Sequence, residues 1–455
     1  MTMSEHDVIL HQTQSVCPEC LRRIDAAYRL APDGGIFLHK RCPQHGDFRT
    51  PVWRQGQGLP DFRDWVTERV PAPPQQPGHA ADKGCPYDCG LCPDHAQHTC
   101  TGLIEVTRRC NMACPVCYAS AGRDDAGDLP LDEALARLRG LRAVSGACNV
   151  QFSGGEPTLY ERLPQLVAAA RDLGFGLLQV NSNGLRLAEE DGYARRLREA
   201  GLDSVYLQWD GPDDAVFRKL RGRDCLAFKR QALRRCAEAG LGVVLVCTLA
   251  RGVNDHLVGD LLRRAVRLGP AVRGLHFQPA ASFGRVPWAL DQSPRLTLPD
   301  LMLALERQSD GMVRARHFHA PSCEHSLCSF SAVYAREGEG LSAEPVGATC
   351  CGGNGARLDN AEGARRSRAF VAGHWGAPQP MPDAADAFSR FLNASGADRR
   401  FTVSAMAFQD ALSFDVERIR GCCIHVVVGP GKLIPFCAYN LTARNGQPLY
   451  RGRAS

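Results

Sequence analysis

The sequence predicts an α/β protein centred on a partial (β/α)6 barrel, with a small Cys/His-rich unit ahead of it and a cysteine-rich region behind it. Three observations carry that expectation. From about residue 102 to 278, short runs rich in Val, Leu and aromatics alternate with longer stretches whose apolar residues recur at helical spacing. The cysteines, 21 in 455 residues, gather mainly before and after that alternation or at its first strand. A Pro-rich polar tract at 71–84, PAPPQQPGHAADKG, reads as a linker between the first cysteine group and the rest.

Taken in order, residues 1–70 hold the first Cys/His set, and 71–101 hold the linker and a dense cysteine segment. Within 102–285, the runs Leu103–Val106, Val150–Phe152, Gly176–Val180, Ser204–Leu207, Val243–Cys247 and Leu275–Phe277 read as strands. Between them, Leu131–Val144, Arg162–Leu173, Ala188–Ala200, Leu226–Gly240 and Asp255–Leu268 read as helices. Such alternation builds βαβ units and a parallel sheet, whose functional residues sit at the strands' C-terminal ends. An open doubly wound sheet has the same strand count and stays open as an alternative. Residues 286–455 form the C-terminal region. There the alternation fades, and 346–400, rich in Gly, Ala, Asp and Arg, reads as an insertion or loop. The tract GCCIHVVVGPGKLIPFCAYN at 421–440 returns to apolar runs around a hairpin at Gly429–Gly431.

Composition narrows the class. With 44% hydrophobic residues the chain buries a sizeable core. A net charge of +5 over this length is no electrostatic footprint for nucleic acid. No apolar run approaches the roughly 20 residues of a membrane span, and Met1–Leu10 has no apolar signal core. A cytoplasmic, reducing location follows as the expectation, in which clustered thiols are metal ligands.

Cys17–Pro–Glu–Cys20 and Cys42–Pro–Gln–His45 make a CxxC…CxxH pattern, which suits a tetrahedral zinc ribbon of three thiolates and one imidazole. Cys85, Cys89 and Cys92, with Cys100 nearby, offer four thiols that suit either zinc or a 4Fe–4S cluster. Cys110, Cys114 and Cys117 repeat the same gaps, but on a loop entered directly from the first strand. A cubane cluster normally takes four cysteines, so three on one loop leave one iron open. In the C-terminal region, Cys323, Cys328, the pairs Cys350–Cys351 and Cys422–Cys423, and Cys437 remain. From these we expect Cys323, Cys328, Cys422 and Cys437 as a further metal set. Cys148, Cys225, Cys236 and Cys247 lie in or beside strands and helices and are expected to be plain buried residues.

The second strand runs into Ser153–Gly154–Gly155–Glu156–Pro157, and the third ends in Asn181–Ser182–Asn183. With the cysteine triplet, these residues make the sequence resemble the radical SAM superfamily. The resemblance implies a partial barrel carrying a 4Fe–4S cluster on Cys110, Cys114 and Cys117, with S-adenosylmethionine (SAM) bound at the open iron. It implies that Tyr118 lies beside the adenine, and that Gly154, Gly155, Glu156, Pro157, Asn181, Ser182 and Asn183 contact SAM, with Gln208 and Thr248 at further strand ends. Arg251 and Asn254 resemble SAM-contacting positions as well. It implies reductive cleavage of SAM to a 5′-deoxyadenosyl radical that attacks a substrate C–H bond. It also favours an auxiliary 4Fe–4S cluster over zinc at Cys85, Cys89, Cys92 and Cys100, and a second auxiliary cluster on the C-terminal set.

The strings GCPYDCGLCPDHAQHTC, CPEC…CPQHG and RIRGCCIHVV…GKLIPFCAYN resemble one subgroup, that of tetraether lipid synthases and 7,8-dihydro-6-hydroxymethylpterin methyltransferase-like proteins. That implies a transferase or carbon–carbon bond-forming enzyme acting on a lipid chain or a small pterin-like molecule. Implied too are a low-potential electron donor such as flavodoxin or ferredoxin, and peripheral membrane contact if the substrate is lipid. Two other classes fit the sequence less well. A multi-cluster electron carrier has no use for a methionine-binding turn such as Gly154–Pro157. An RNA-modifying enzyme docking through the zinc ribbon lacks a Lys/Arg-rich tract here.

Overall fold

The computed structural model describes residues 7–74, 80–122, 127–287, 295–343, 359–376 and 399–452. Its first unit is a four-stranded antiparallel meander of β1 (Val8–Val16), β2 (Arg23–Leu30), β3 (Gly35–Cys42) and β4 (Gly46–Arg54). Alternation along β2 and β3 turns Tyr28, Ile36 and Leu38 inward against the buried Trp53 and Trp65. Two of the three turns of this meander carry the metal knuckles: Cys17 and Cys20 between β1 and β2, and Cys42 at the end of β3 with His45 just before β4.

The centre is the run β5 (Thr101–Thr107), β6 (Asn149–Gly154), β7 (Leu178–Ser182), β8 (Ser204–Gln208), β9 (Gly242–Leu249) and β10 (Val272–Pro279). Every neighbouring pair is parallel, and the strands lie side by side in chain order. A doubly wound sheet reverses its strand order at a switch point. No reversal occurs here, so the barrel reading holds. The connecting helices fall where the apolar period placed them, with two differences. The stretch expected as one helix over 188–200 is two, Leu185–Glu189 and Tyr193–Glu199, split before Gly192, whose φ of +74° interrupts the helical path. An additional helix, Asp214–Arg221, starts at a hydrogen-bonding Asp213 N-cap.

The C-terminal region is not a separate cap. It extends the same sheet on both sides. Beyond β10 lie β13 (Arg400–Met406), parallel to it, and then β11 (Ser329–Glu337) and β12 (Gly340–Ala343). Beyond β5 lie β14 (Ile424–Gly429), parallel to it, and β15 (Lys432–Pro435), which closes the hairpin expected at Gly429–Gly431. Most of the expected loop at 346–400, including Cys350 and Cys351, lies outside the described residues. Its described part is a helix, Asn360–Trp375, begun by an Asp359 cap. This helix crosses the N-terminal ends of the strands. Arg368 Nη1 donates to Thr99 O (3.2 Å) ahead of β5, and Arg273 Nε of β10 donates to His374 O (3.1 Å). A Cβ on Gly242, at the start of β9, would stand 2.5 Å from Trp375 O.

Two-residue alternation decides which side chains reach the lumen. Val180, Val205, Leu207, Leu245, Leu275 and Phe277 point outward and are fully buried under the helices. Each contributes roughly 1.5–3 kcal/mol of burial. Gln151, Asn181, Tyr206, Gln208, Thr248, His276 and Gln278 point inward and line a cavity of about 320 Å3. The outward face holds the fold together, and the inward face is left to the ligand.

Candidate functional site

The loop after β5 carries Cys110, Cys114 and Cys117 to the top of the lumen. Its backbone is tied on several sides. Cys117 N donates to Arg285 O and Arg285 N to Cys117 O, both at 2.9 Å, while Arg285 Nε donates to Cys114 O at 2.7 Å. Arg221 Nη1 donates to Val116 O at 2.9 Å. Arg221 in turn forms a two-pronged pair with Asp210 (2.6 and 2.7 Å) and donates to Thr248 Oγ1 (2.7 Å). The Arg221 and Asp210 side chains are 5% and 0% exposed, so this is an interior ion pair.

The Gly154–Pro157 turn is stitched to the same loop. Gly155 N donates to Thr107 O and Glu156 N to Arg109 O, both at 2.8 Å. Only glycine fits here. A Cβ on Gly154, whose φ is +137°, would lie 2.2 Å from Thr107 O, and one on Gly155 would lie 2.2 Å from Arg109 O. Glu156 is 1% exposed. Its Oε1 accepts from Thr158 Oγ1 (2.7 Å) and Ser182 Oγ (2.8 Å), and Oε2 accepts from Asn183 N (2.7 Å). Burial pushes this carboxyl above its ordinary range, against the pull of those bonds. Oε2 has a single protein donor and keeps an acceptor position for a bound cation. Asn183 also ties to the cysteine loop through Nδ2 to Asn111 Oδ1 at 2.7 Å. Tyr118 shares a hydrogen bond with Ser153 (2.9 Å) and packs 5.6 Å from Phe436.

Burial drives the Cys110 thiol up to about 12 and raises Cys114. A bare thiolate is therefore unfavourable in this loop, and a metal centre is what holds such ligands deprotonated. Among the described residues, the groups of ligand atoms within 4.8 Å of one another are Cys17, Cys20, Cys42, His45 and Cys100, Cys323, Cys423. The triplet is not one of them, a wider spacing that suits a cluster rather than a single ion. The first group fits one tetrahedral ion. Hydrogen bonding overrides burial to bring Cys42 down to about 6, while burial takes Cys17 up to about 11. His45 Nδ1 lies 3.4 Å from Cys42 Sγ and 3.5 Å from Cys17 Sγ.

The remaining thiols depart from expectation. Cys100 was expected with Cys85, Cys89 and Cys92; the structure places it with Cys323 and Cys423. The reason is topological. β14 pairs with β5 as Ile424 opposite Thr101, so the residues just ahead of the two strands are neighbours, and Cys100 N donates to Cys423 O at 2.8 Å. The Cys100 and Cys323 sulfurs are drawn together across a Cα–Cα distance of 7.6 Å. That exceeds what a relaxed bridge spans, and Cys423 shares the site. Of the expected set of Cys323, Cys328, Cys422 and Cys437, the last three lie near enough to raise one another's thiols electrostatically, whereas Cys323 sits with Cys100 and Cys423. Cys328 Sγ also accepts from Arg418 (3.3 Å). A hydrogen bond between Cys85 and Cys89 holds the Cys85 thiol down to about 7 and pushes that of Cys89 up. Cys422 bears on Cys89 electrostatically, and Cys437 packs in the same apolar group as Cys85 and Cys89.

Of the expected SAM contacts, Tyr118, Gly154, Gly155, Glu156, Asn181, Ser182, Asn183, Gln208 and Thr248 all line the cavity, and Pro157 starts the turn behind it. Asn254 instead braces the strand ends, donating to Asp210 O (2.9 Å) and Thr248 O (2.8 Å), and Arg251 faces away toward Asp300 (3.1 Å). Cys148, Cys225, Cys236 and Cys247 are buried at 0–1% exposure. The sequence reading missed Arg221, the buried Lys229 and the lumen residues Tyr206, His276 and Trp375. Period two back from Gln208 and Gln278 points to Tyr206 and His276; nothing local marks Trp375.

Comparison with known proteins agrees with this geometry. Residues 104–265 match the radical SAM superfamily and residues 9–54 match an HMPTM N-terminal zinc ribbon domain. A 7,8-dihydro-6-hydroxymethylpterin dimethyltransferase from Methanocaldococcus jannaschii is 32% identical, covering 95% of this chain and 94% of its own. An Fe-coproporphyrin III synthase from Methanosarcina barkeri is 35% identical over 47% of this chain and 51% of its own. Among solved structures, Streptococcus suis SuiB bound to S-adenosylmethionine matches at 16% identity and a TM-score of 0.40, over 48% of each chain. No helix among the described residues is long and apolar enough to cross a membrane. The interlocked glycine turn, the three-thiol loop and the near full-length match agree: the chain is a radical SAM enzyme of the family of 7,8-dihydro-6-hydroxymethylpterin dimethyltransferase-like proteins, with an N-terminal zinc ribbon.

Proposed function

We propose that the enzyme is a transferase that functionalises a C–H bond of a pterin-like heterocycle, most simply by methylation. The observation that carries this reading is the cavity. It is about 320 Å3, runs from the thiol triplet down the lumen, and ends against the Asn360–Trp375 helix. Amide side chains of Gln151, Asn181, Gln208 and Gln278 project into it. A mostly apolar lining with a few converging hydrogen-bonding groups suits a small planar ring system. The near full-length relative with a pterin in its name supports the same class. A second reading, an acyl or isoprenoid chain, is favoured by the aromatic mouth of Phe283, Phe408 and Phe436, whose rings pack at 4.7 and 6.3 Å.

When bound, the 4Fe–4S cluster supplies an electron for reductive cleavage of SAM. Cys110, Cys114 and Cys117 hold that cluster, the Gly154–Gly155 backbone admits the methionine part, and Glu156 Oε2 accepts from its ammonium. Tyr118, fixed by Ser153, walls the adenine side. We assign Cys100, Cys323 and Cys423 to one auxiliary cluster. Cys85, Cys89 and Cys92 belong to another, with Cys422 or Cys437 as its fourth ligand. The many free thiols support a reducing cytoplasm, and a flavodoxin or ferredoxin suits as electron donor.

The test is anaerobic reconstitution with SAM, a strong reductant and 6-hydroxymethyl-7,8-dihydropterin. 5′-Deoxyadenosine formation stimulated by the pterin is expected, together with a methylated pterin when a second equivalent of SAM or a separate one-carbon donor supplies the methyl group, and Cys114→Ala abolishes both. Iron should be about twelve per chain with about one zinc, falling toward about eight iron in Cys89→Ala. SAM cleavage that no pterin stimulates, but a long-chain lipid does, overturns the substrate class.

A further inference from the structure

The floor of the lumen is aromatic and carries two unsatisfied polar atoms. Tyr206 and His276 stack at 5.6 Å with an interplanar angle of 24°. Trp375 closes against them at 5.3 and 6.1 Å. It arrives from the helix below, which turns Ser367, Val371 and Trp375, four residues apart, into the cavity as one face. Trp375 Nε1 is buried and has no hydrogen-bond partner. Asn181 Oδ1 is in the same state, on the residue that pairs in register with Tyr206. Both residues line the same cavity.

An unpaired buried donor or acceptor costs about 1–3 kcal/mol, so such atoms are rarely left without a partner. Here an unpaired donor and an unpaired acceptor belong to residues that line one cavity, beside three ring faces. His276 adds no charge to that floor. Its Nδ1 is engaged with Ser404 Oγ at 2.9 Å, and burial takes the ring down to about 4. An alkyl chain leaves both polar atoms unpaired. A flat nitrogen heterocycle offers a lone pair to the indole N–H, an amino or lactam N–H to the amide oxygen, and a π-face to the rings.

We propose that Trp375, Tyr206, His276 and Asn181 determine substrate specificity, seating a planar fused pyrimidine ring on the barrel floor with its acceptor edge on Trp375 Nε1 and its N–H edge on Asn181 Oδ1. This rests on the pterin-class reading above and adds which residues read the ring. The helix that bears Trp375 is then part of the binding site, not only a plug.

The test is equilibrium binding of 6-hydroxymethylpterin, followed by its own fluorescence anisotropy, to the reconstituted full-length enzyme with SAM. Trp375→Phe keeps the ring and removes the donor; Asn181→Leu removes the acceptor. Each should weaken binding about tenfold, and decanol should not displace the pterin. Thermal unfolding and iron content, measured on the same samples, establish that the variants are folded; Tyr206→Leu is the second probe should Trp375→Phe fold poorly. Wild-type affinity in all folded variants overturns the floor assignment and leaves the pterin reading standing. Failure of the wild-type enzyme itself to bind the pterin, or its displacement by decanol, overturns the pterin reading and this inference with it.

Discussion

The interior pair of Asp210 and Arg221 is the joint between the cysteine loop and the barrel, and its removal has a calculable effect. Asp210→Asn leaves the Arg221 guanidinium at 5% exposure without its counter-charge. Breaking a pair of this kind by removing one partner costs about 3–5 kcal/mol. In a chain of this size that is a fall in melting temperature of about 3–5 °C. Arg221 also holds Val116 O, between two of the cluster thiols, and Thr248 Oγ1. Loss of its orientation should therefore lower 5′-deoxyadenosine formation as well as stability. Replacing both partners, Asp210→Leu with Arg221→Met, removes the charge altogether and should recover most of the lost stability. The assay is thermal unfolding of the reconstituted protein under anaerobic conditions for wild type, both singles and the double. Single variants within about 1 kcal/mol of wild type would refute the reasoning, as would a double variant as unstable as the worse single.

Gly155→Ala forces a methyl to within 2.2 Å of Arg109 O; SAM-dependent change in the cluster's electron paramagnetic resonance signal should be lost while the iron content stays. His276 is buried neutral, its pKa brought down to about 4 from 6.5. The unfolded ring gains a proton below pH 6.5 and the folded one does not, so stability is lost as pH falls from 6.5 to 4. At pH 5 that is about 2 kcal/mol, and His276→Gln should remove that increment from denaturant unfolding compared at pH 8 and pH 5. Cys42→Ser should release the ribbon zinc and destabilise the segment it docks on, because Lys40 Nζ and Thr50 Oγ1 reach Ala411 O (2.7 Å) and Leu412 O (2.9 Å). Limited proteolysis near residues 411–415, with zinc measured in parallel, checks this.

The barrel was legible because its signals are local. Each strand is a short apolar run followed by a helical period, and the run's last inward residues fall at the lumen's top. The thiol triplet and the Gly154–Glu156 turn were legible because steric and coordination demands fix residue type at fixed spacing. Grouping of the other thiols was not. It depends on β14 lying beside β5, and on Cys323 being brought beneath the barrel. Those pairings join residues far apart in sequence, and no spacing rule covers them. Trp375 was hidden for the same reason: its segment reads as a polar insertion, and only the tertiary path of its helix carries the indole under the lumen.

The pairing of β14 with β5 also has a kinetic side. Thr99 and His425, which meet beside it, are 326 positions apart in the chain. Contacts of that range form late, because the entropy of closing so long a loop comes before any reward. Cys100 and Cys423 flank this seam, so they and Cys323 are brought together late in folding, whereas Cys17, Cys20, Cys42 and His45 of the ribbon lie close in sequence and can meet early.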